Sequence, residues 1–197
     1  MAQGCSSLDE LARLLDGFDA CPLKRTATQL CFADGSPGAH LMIVGEAPGR
    51  DEDEQGRPFV GRSGQLLDKM LKAAGFDRDS DDPATSVFIT NTVFWRPPGN
   101  RNPSTAELTM CLPFVRRAIE LAAPRLIMTL GNIPTQALLD TKQGITRIRG
   151  NWKQLEIGGH VYQVMPSLHP SYLLRSPEAK RLAWRDLLDV KTRLLSQ

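Results

Sequence analysis

The feature that most constrains this chain is a set of short apolar runs, Leu41–Glu46, Val87–Val93, Leu126–Leu130 and Val161–Met165, each followed by a loop and most of them by a segment of helical spacing. Runs this short, bounded by glycine, proline or polar residues, read as strands buried on both faces. Between them the apolar period lengthens. Leu66, Leu67, Met70, Leu71 and Ala74 mark one helix face closed by Gly75. A capping box from Ser104 to Glu107 opens a helix to about Leu121, where Pro113 predicts a kink. Pro134–Leu139 reads as a short helix, and Glu178–Leu195 as an amphipathic one bearing Trp184, Leu187, Leu188 and Leu194. A second capping box, Ser7 to Glu10, starts a short N-terminal helix that Gly17 stops. Residues 50–62 and 96–103 read as loops, and Asp77–Ala84 as an acidic turn. The expected fold class is therefore α/β: a three-layer α-β-α arrangement around a central four-stranded, mainly parallel sheet, in one domain spanning residues 1–197.

In such a sheet the ligand crevice lies beyond the carboxyl ends of the strands. The least ordinary residues fall there: Glu46 after the first run, Asn91 in the second, Gly131 after the third and His169 after the fourth. Glu46 sits in a tight turn with Gly45, Pro48 and Gly49, where a carboxylate can bind a cation, act as a base or cap a helix. Asn91 offers one acceptor and two donors, enough to read the edge of a base, and is also a common turn former. Phe59 lies in a polar loop, as a stacking plate for a ring or as a plug beneath the loop. His169, one of three histidines, precedes a proline. Arg96, Arg101 and Arg175 are candidate phosphate contacts. The glycine-rich stretch matches neither common nucleotide-phosphate motif, and the adjacent Asp51, Glu52, Asp53 and Glu54 repel phosphate.

Composition narrows the class further. No apolar run approaches the ~20 residues of a membrane span, and the N-terminus lacks a basic-then-apolar leader, so the expected compartment is the cytoplasm with no membrane partner. The four cysteines, Cys5, Cys21, Cys31 and Cys111, form no C-x-x-C pair and read as buried free thiols. The net charge is only +2, but from Ile145 onward nine Lys/Arg face four Asp/Glu, which makes that end basic, as a DNA-facing surface or as a solvated helix face.

Taken together, Val44–Gly49 (VGEAPG), Gly56–Leu67 (GRPFVGRSGQLL), Asn91, Arg96–Arg101 (RPPGNR), Leu130-Gly131 and His169–Arg175 (HPSYLLR) resemble the family 4 uracil-DNA glycosylases, in the family's order and across about Cys21 to Trp184. The resemblance implies a DNA repair enzyme that flips uracil out of DNA, hydrolyses the N-glycosidic bond, releases free uracil and leaves an abasic site. It implies uracil binding by Gly45, Glu46, Phe59, Asn91 and His169, with Phe59 stacking on the ring and Asn91 pairing with its edge. His169 would donate to the uracil O2 as charge builds there. Better-known relatives carry an aspartate where this chain has Ala47, which places the carboxylate role on Glu46, with Glu52 or Asp53 in support. Leu173 is expected as the wedge filling the gap left by the flipped base, and Arg96, Arg101, Ser171 and Arg175 as DNA contacts.

Family 4 enzymes hold a [4Fe–4S] cluster on four cysteines. Here Cys21 and Cys111 match two ligand positions, while Lys24 and Trp95 replace the others. Two thiolates do not supply the four ligands such a cluster takes, so no metal and no cofactor are expected, with Trp95 filling part of the vacated volume. The chain is expected to act as a monomer. The alternative expectation is a non-catalytic or very slow module that binds uracil-containing or abasic DNA.

Overall fold

The computed structural model describes residues 1–196; Gln197, the last residue of the expected domain, lies outside the described residues. The sheet contains strands β1 (Ala33–Gly35), β2 (Leu41–Gly45), β3 (Val87–Asn91), β4 (Leu126–Leu130), β5 (Lys153–Ile157) and β6 (His160–Ser167). Their order is β1-β3-β2-β4-β6-β5. The four inner strands pair in parallel, whereas β1 runs antiparallel to β3 and β5 antiparallel to β6.

The expected four-stranded sheet is therefore the inner part of a six-stranded mixed one. Both additional strands are edges. β1 is three residues of Ala-Asp-Gly, too short to carry a pattern, and β5 alternates polar and apolar side chains because one face meets solvent. β5 and β6 are joined through Gly158 and Gly159, both with positive φ, as a tight two-residue hairpin requires.

Among the described residues eight α-helices flank the sheet: α1 (Leu8–Asp16), α2 (Arg50–Gln55), α3 (Arg62–Ala74), α4 (Thr105–Ala122), α5 (Asn132–Leu139), α6 (Ile145–Ile148), α7 (Pro170–Arg175) and α8 (Lys180–Leu195). Successive strand residues point to opposite faces, and the core divides accordingly. Met42, Val44 and Ile127 pack with Leu11 and Leu15 of α1 and Phe114, Val115 and Ile119 of α4. Leu41, Ile43, Leu126 and Met128 pack on the other face with Leu67 and Leu71 of α3 and Leu187 and Val190 of α8. This is the three-layer arrangement the sequence predicts. Pro113 is contained within α4, which continues as one element through it.

Residues 50–62, expected as a loop, carry the short helix α2, and a second short helix, α7, follows β6. In α2 the Glu52 carboxylate turns back to accept the Gly49 N–H at 3.1 Å, which caps the first turn. In α7, Pro170 occupies the first turn and His169 is the N-cap. No helix among the described residues is long and apolar enough to cross a membrane.

Candidate active site

The carboxyl ends of β2, β3, β4 and β6 deliver Gly45-Glu46, Asn91, Gly131 and Ser167-Leu168-His169 to one edge of the sheet. A cavity of about 270 Å³ opens there, lined by Ala47, Phe59, Asn91, His169 and Ser171 with Arg50, Asp51 and Glu52 from α2. Its volume lies just below the ~300–1,000 Å³ usual for drug-sized ligands, which suits a single ring. A second cavity, about 390 Å³, shares Ala47, His169 and Ser171 with the first and extends along Glu46, Gly131, Asn132, Tyr172 and Arg175. The two cavities adjoin at these shared residues, the first as the smaller inner chamber and the second as the outer groove.

Glycine at position 45 makes the chamber possible. A β-carbon there would collide with both the Phe59 ring and Asn91 Oδ1, so only glycine lets the ring and the amide converge. Asn91 is 1% exposed, and its Oδ1 has no hydrogen-bond partner among the described residues. A buried acceptor left unpaired costs about 1–3 kcal/mol. Phe59 is also buried and takes a left-handed backbone, φ 55°, which costs a non-glycine residue about 1–3 kcal/mol. Strain and an orphaned polar atom therefore sit side by side at this cavity.

His169 is oriented by the helix it caps. Its Nδ1 accepts the Ser171 N–H at 3.1 Å and lies 2.8 Å from Ser171 Oγ. An N–H can only donate, so Nδ1 is unprotonated and the neutral ring carries its hydrogen on Nε2. Burial, reinforced by the positive charge of Arg175, pushes the imidazole pKa down to about 4. The ring is consequently neutral near pH 7 and presents an Nε2–H donor. Gly131, with φ 101°, packs beside it, where a β-carbon would approach His169 Cβ to 3.2 Å. Phe59 and His169 rings lie 5.7 Å apart between centroids.

Burial alone raises the Glu46 pKa above its ordinary value. Glu46 lines the outer groove and not the inner chamber. Neither carboxylate expected to support it is available. Glu52 accepts backbone N–H groups from Gly49, Val60 and Gly61, and buried Asp53 accepts those of Thr28 and Gln29. Both hold loops in place, a role that local sequence does not reveal because their partners are distant backbone groups.

Two expected DNA contacts need correction. Leu173 is 0% exposed and packs with Leu168, Ala179 and Ala183, because its position on α7 faces the body of the protein. It is not a wedge. Its neighbours Tyr172 and Leu174 are the exposed ones, at 39% and 36%. Arg101 spends its guanidinium on Glu107, at 2.9 and 2.7 Å, and so reinforces the start of α4. That pairing holds the Glu107 carboxyl down to about 2. Arg96 bonds Asn100 Oδ1 through Nε at 2.7 Å, and Arg175 is exposed at the groove.

At the corner where the family resemblance implies a cluster, thiols stand at two of the four ligand positions, Cys21 and Cys111. Cys21 and Cys111 are buried free thiols whose mutual influence lowers the pKa of Cys21 and raises that of Cys111. Lys24 bonds the Asp16 carbonyl and Asp19 Oδ1. Trp95 is buried in the same core as both thiols, edge-on to Phe94. Cys31 is remote from this pair and donates its thiol to the Glu52 carbonyl. Among the described residues no group of three or more His, Cys, Asp or Glu is placed to hold a metal ion.

The parallel inner strands of this α/β sheet end at a ring-sized cavity lined by a buried amide and a neutral imidazole donor, an arrangement that suits an enzyme acting on a heterocyclic base. The family model described as the Uracil DNA glycosylase superfamily matches residues 32–188. The chain is 37% identical over 194 residues to a Type-4 uracil-DNA glycosylase of Sulfurisphaera tokodaii, covering 94% of this chain and 84% of that one. It is 38% identical over 179 residues to a Type-4 uracil-DNA glycosylase of Thermotoga maritima, covering 88% and 87%. A third, from Pyrobaculum aerophilum, is 37% identical over 184 residues and 91% of each chain. The protein belongs to the uracil-DNA glycosylase superfamily.

Proposed function

We propose that the protein excises uracil from DNA, and the observation that carries this reading is Asn91, which lines a ring-sized chamber and whose buried Oδ1 has no hydrogen-bond partner among the described residues. Uracil presents an N3–H donor and an O4 acceptor, which match the Asn91 Oδ1 and Nδ2. Cytosine reverses both, offering a bare N3 and an N4 amino group. A base must leave the stack to reach such a chamber, and Phe59 then lies against its face.

As the bond from C1′ to N1 breaks, its electron pair passes to the base, and negative charge collects on O2. The His169 Nε2–H is a fixed donor for that charge. The sugar becomes cationic, and Glu46, in the outer groove, supplies the compensating carboxylate and orients the water. Water adds its oxygen to C1′, the proton it releases neutralises the uracil anion, and the products are uracil and an abasic site. Arg96, Ser171 and Arg175 contact the DNA backbone. The enzyme works in the cytoplasm as a monomer without an iron–sulfur cluster; Lys24 bonded to Asp19 and Trp95 buried, where two of the four cysteine ligands would stand, support the last point.

A duplex oligonucleotide with one uracil, treated with alkali after incubation, tests this. Strand cleavage by protein lacking bound iron and lacking visible absorption is the expected result. DNA that is retarded on a gel but never cleaved overturns the enzymatic reading, and stoichiometric iron in an active preparation overturns the cluster-free one.

Two further outcomes follow. Because His169 is already neutral above about pH 4, the acid limb of kcat/KM is expected to follow Glu46 and to lie above 4.5, its ordinary value. Activity falls as pH drops through that limb, and Glu46→Gln removes the limb along with most of the rate. A limb surviving in Glu46→Gln would assign it to another group. Truncating the exposed tip, Leu174→Ala with Tyr172→Ala, is expected to slow excision from duplex DNA about tenfold more than from single strands, since the wedge offsets part of the few kcal/mol of unstacking. Equal losses on both substrates would dismiss a wedge at this tip.

A further inference from the structure

Phe59 does not hold its left-handed backbone unaided. The peptide joining Phe59 to Val60 is gripped at both of its polar atoms. Its carbonyl accepts from Arg78 Nη2 at 2.8 Å, and its N–H donates to Glu52 Oε1 at 2.9 Å. In a trans peptide these two groups point in opposite directions, so a cation on one side and an anion on the other prevent the plane from turning. The flanking groups are held too. Arg78 Nη1 reaches the Pro58 carbonyl at 3.1 Å, and the Gly61 N–H donates to Glu52 Oε1 at 2.8 Å.

Each clamp is itself anchored. Arg78 is 7% exposed in its side chain and is paired with Asp34 on β1 and Asp68 on α3. The second oxygen of Glu52 accepts from Gly49, so one carboxylate ties the loop bearing Glu46 to the loop bearing Phe59. Gly64 on α3 completes the seat, since a β-carbon there would overlap the Phe59 carbonyl. On the loop that carries Phe59, the Glu52 and Arg78 side chains both bond backbone groups alone.

We infer that Glu52 and Arg78 are positioning residues: they lock the Phe59–Val60 peptide so that the Phe59 ring stands in place before a base enters. The inference rests on the reading of Phe59 as the plate beneath the flipped base. Ordering the plate in advance leaves less to be ordered on binding, which is the general benefit of preorganisation. Glu52 belongs to the acidic run that would repel a phosphate; its charge is directed inward at amides.

The test is a double-mutant cycle between Glu52→Gln and Phe59→Leu, with inhibition by free uracil and single-turnover kcat and KM on uracil-containing oligonucleotide as readouts. Glutamine keeps the size but can offer an acceptor to only one side of the Gly49 and Val60/Gly61 pair. Each single variant is expected to weaken uracil binding by about tenfold, and the double variant to be no weaker than Phe59→Leu alone, as for residues acting through one another. Arg78→Lys, which retains charge and one donor, is expected to lose less than Arg78→Gln. Measurements are made below the melting temperature of every variant, and the Glu52 cycle stands alone if Arg78→Gln does not fold. Losses that multiply in the double variant, or unchanged uracil affinity in Glu52→Gln, overturn the inference while leaving Phe59 as the plate. Unchanged affinity in Phe59→Leu overturns the plate itself and the inference with it.

Discussion

His169→Ala is expected to lower the single-turnover rate of uracil release by about 10²–10³-fold, the range for losing one fixed donor to developing negative charge. The affinity for uracil-containing DNA should change little, because the Nε2–H meets full charge only in the transition state. The substitution also deletes the N-cap of α7, where Nδ1 accepts the Ser171 N–H, at a cost of about 1 kcal/mol in stability. His169→Asn separates the two effects. Asparagine restores a capping acceptor but presents no donor where Nε2 stood. Both variants are expected to lose the rate, and only alanine the stability. Recovery of the rate in His169→Asn would reduce His169 to a structural cap.

The second large effect concerns selectivity. A site built to hydrogen-bond its substrate rejects a mismatched analogue by about 10⁴–10⁵-fold, because buried polar groups are otherwise left unpaired. Asn91 is 1% exposed, so water offers no easy substitute. Asn91→Asp replaces a donor and an acceptor with two acceptors. A carboxylate still accepts the uracil N3–H but opposes O4, and it accepts the cytosine amino group but opposes N3. Uracil excision is expected to fall by about 10²-fold or more, and the preference over cytosine to shrink to within about tenfold. Paired single-turnover rates on uracil and cytosine oligonucleotides measure this. Undiminished selectivity in the variant would remove Asn91 from base reading.

The inner strands and their order of use were legible because they are buried on both faces, and continuous apolar runs survive in sequence as such. Glu46, Asn91, Gly131 and His169 were legible as a crevice for the same reason: the carboxyl end of each run marks its rim. The edge strands were not, since β1 is too short for a pattern and β5 is half exposed. The Gly158-Gly159 pair was nevertheless a usable hairpin signal. Leu173 was expected as the wedge from the resemblance alone; wound into α7, position 173 faces inward and 172 and 174 face out. Arg101 looked like a free cation until the fold brought Glu107 beneath it. The clamps on Phe59 lay beyond sequence altogether, since Arg78 and the Phe59 carbonyl are 19 residues apart and meet only through tertiary packing.

The hydrogen bond that begins α7 is also the one that decides where the His169 proton resides. The competence of the imidazole is thus a conformational property as much as an acid–base one. Should this single turn unwind, Nδ1 loses its partner, the ring rejoins solvent, and its pKa returns toward the ordinary value of about 6.5. The proton then divides between two nitrogens. Because Tyr172 and Leu174 sit on the same turn, any force applied to that tip acts on the hydrogen bond that arms the ring.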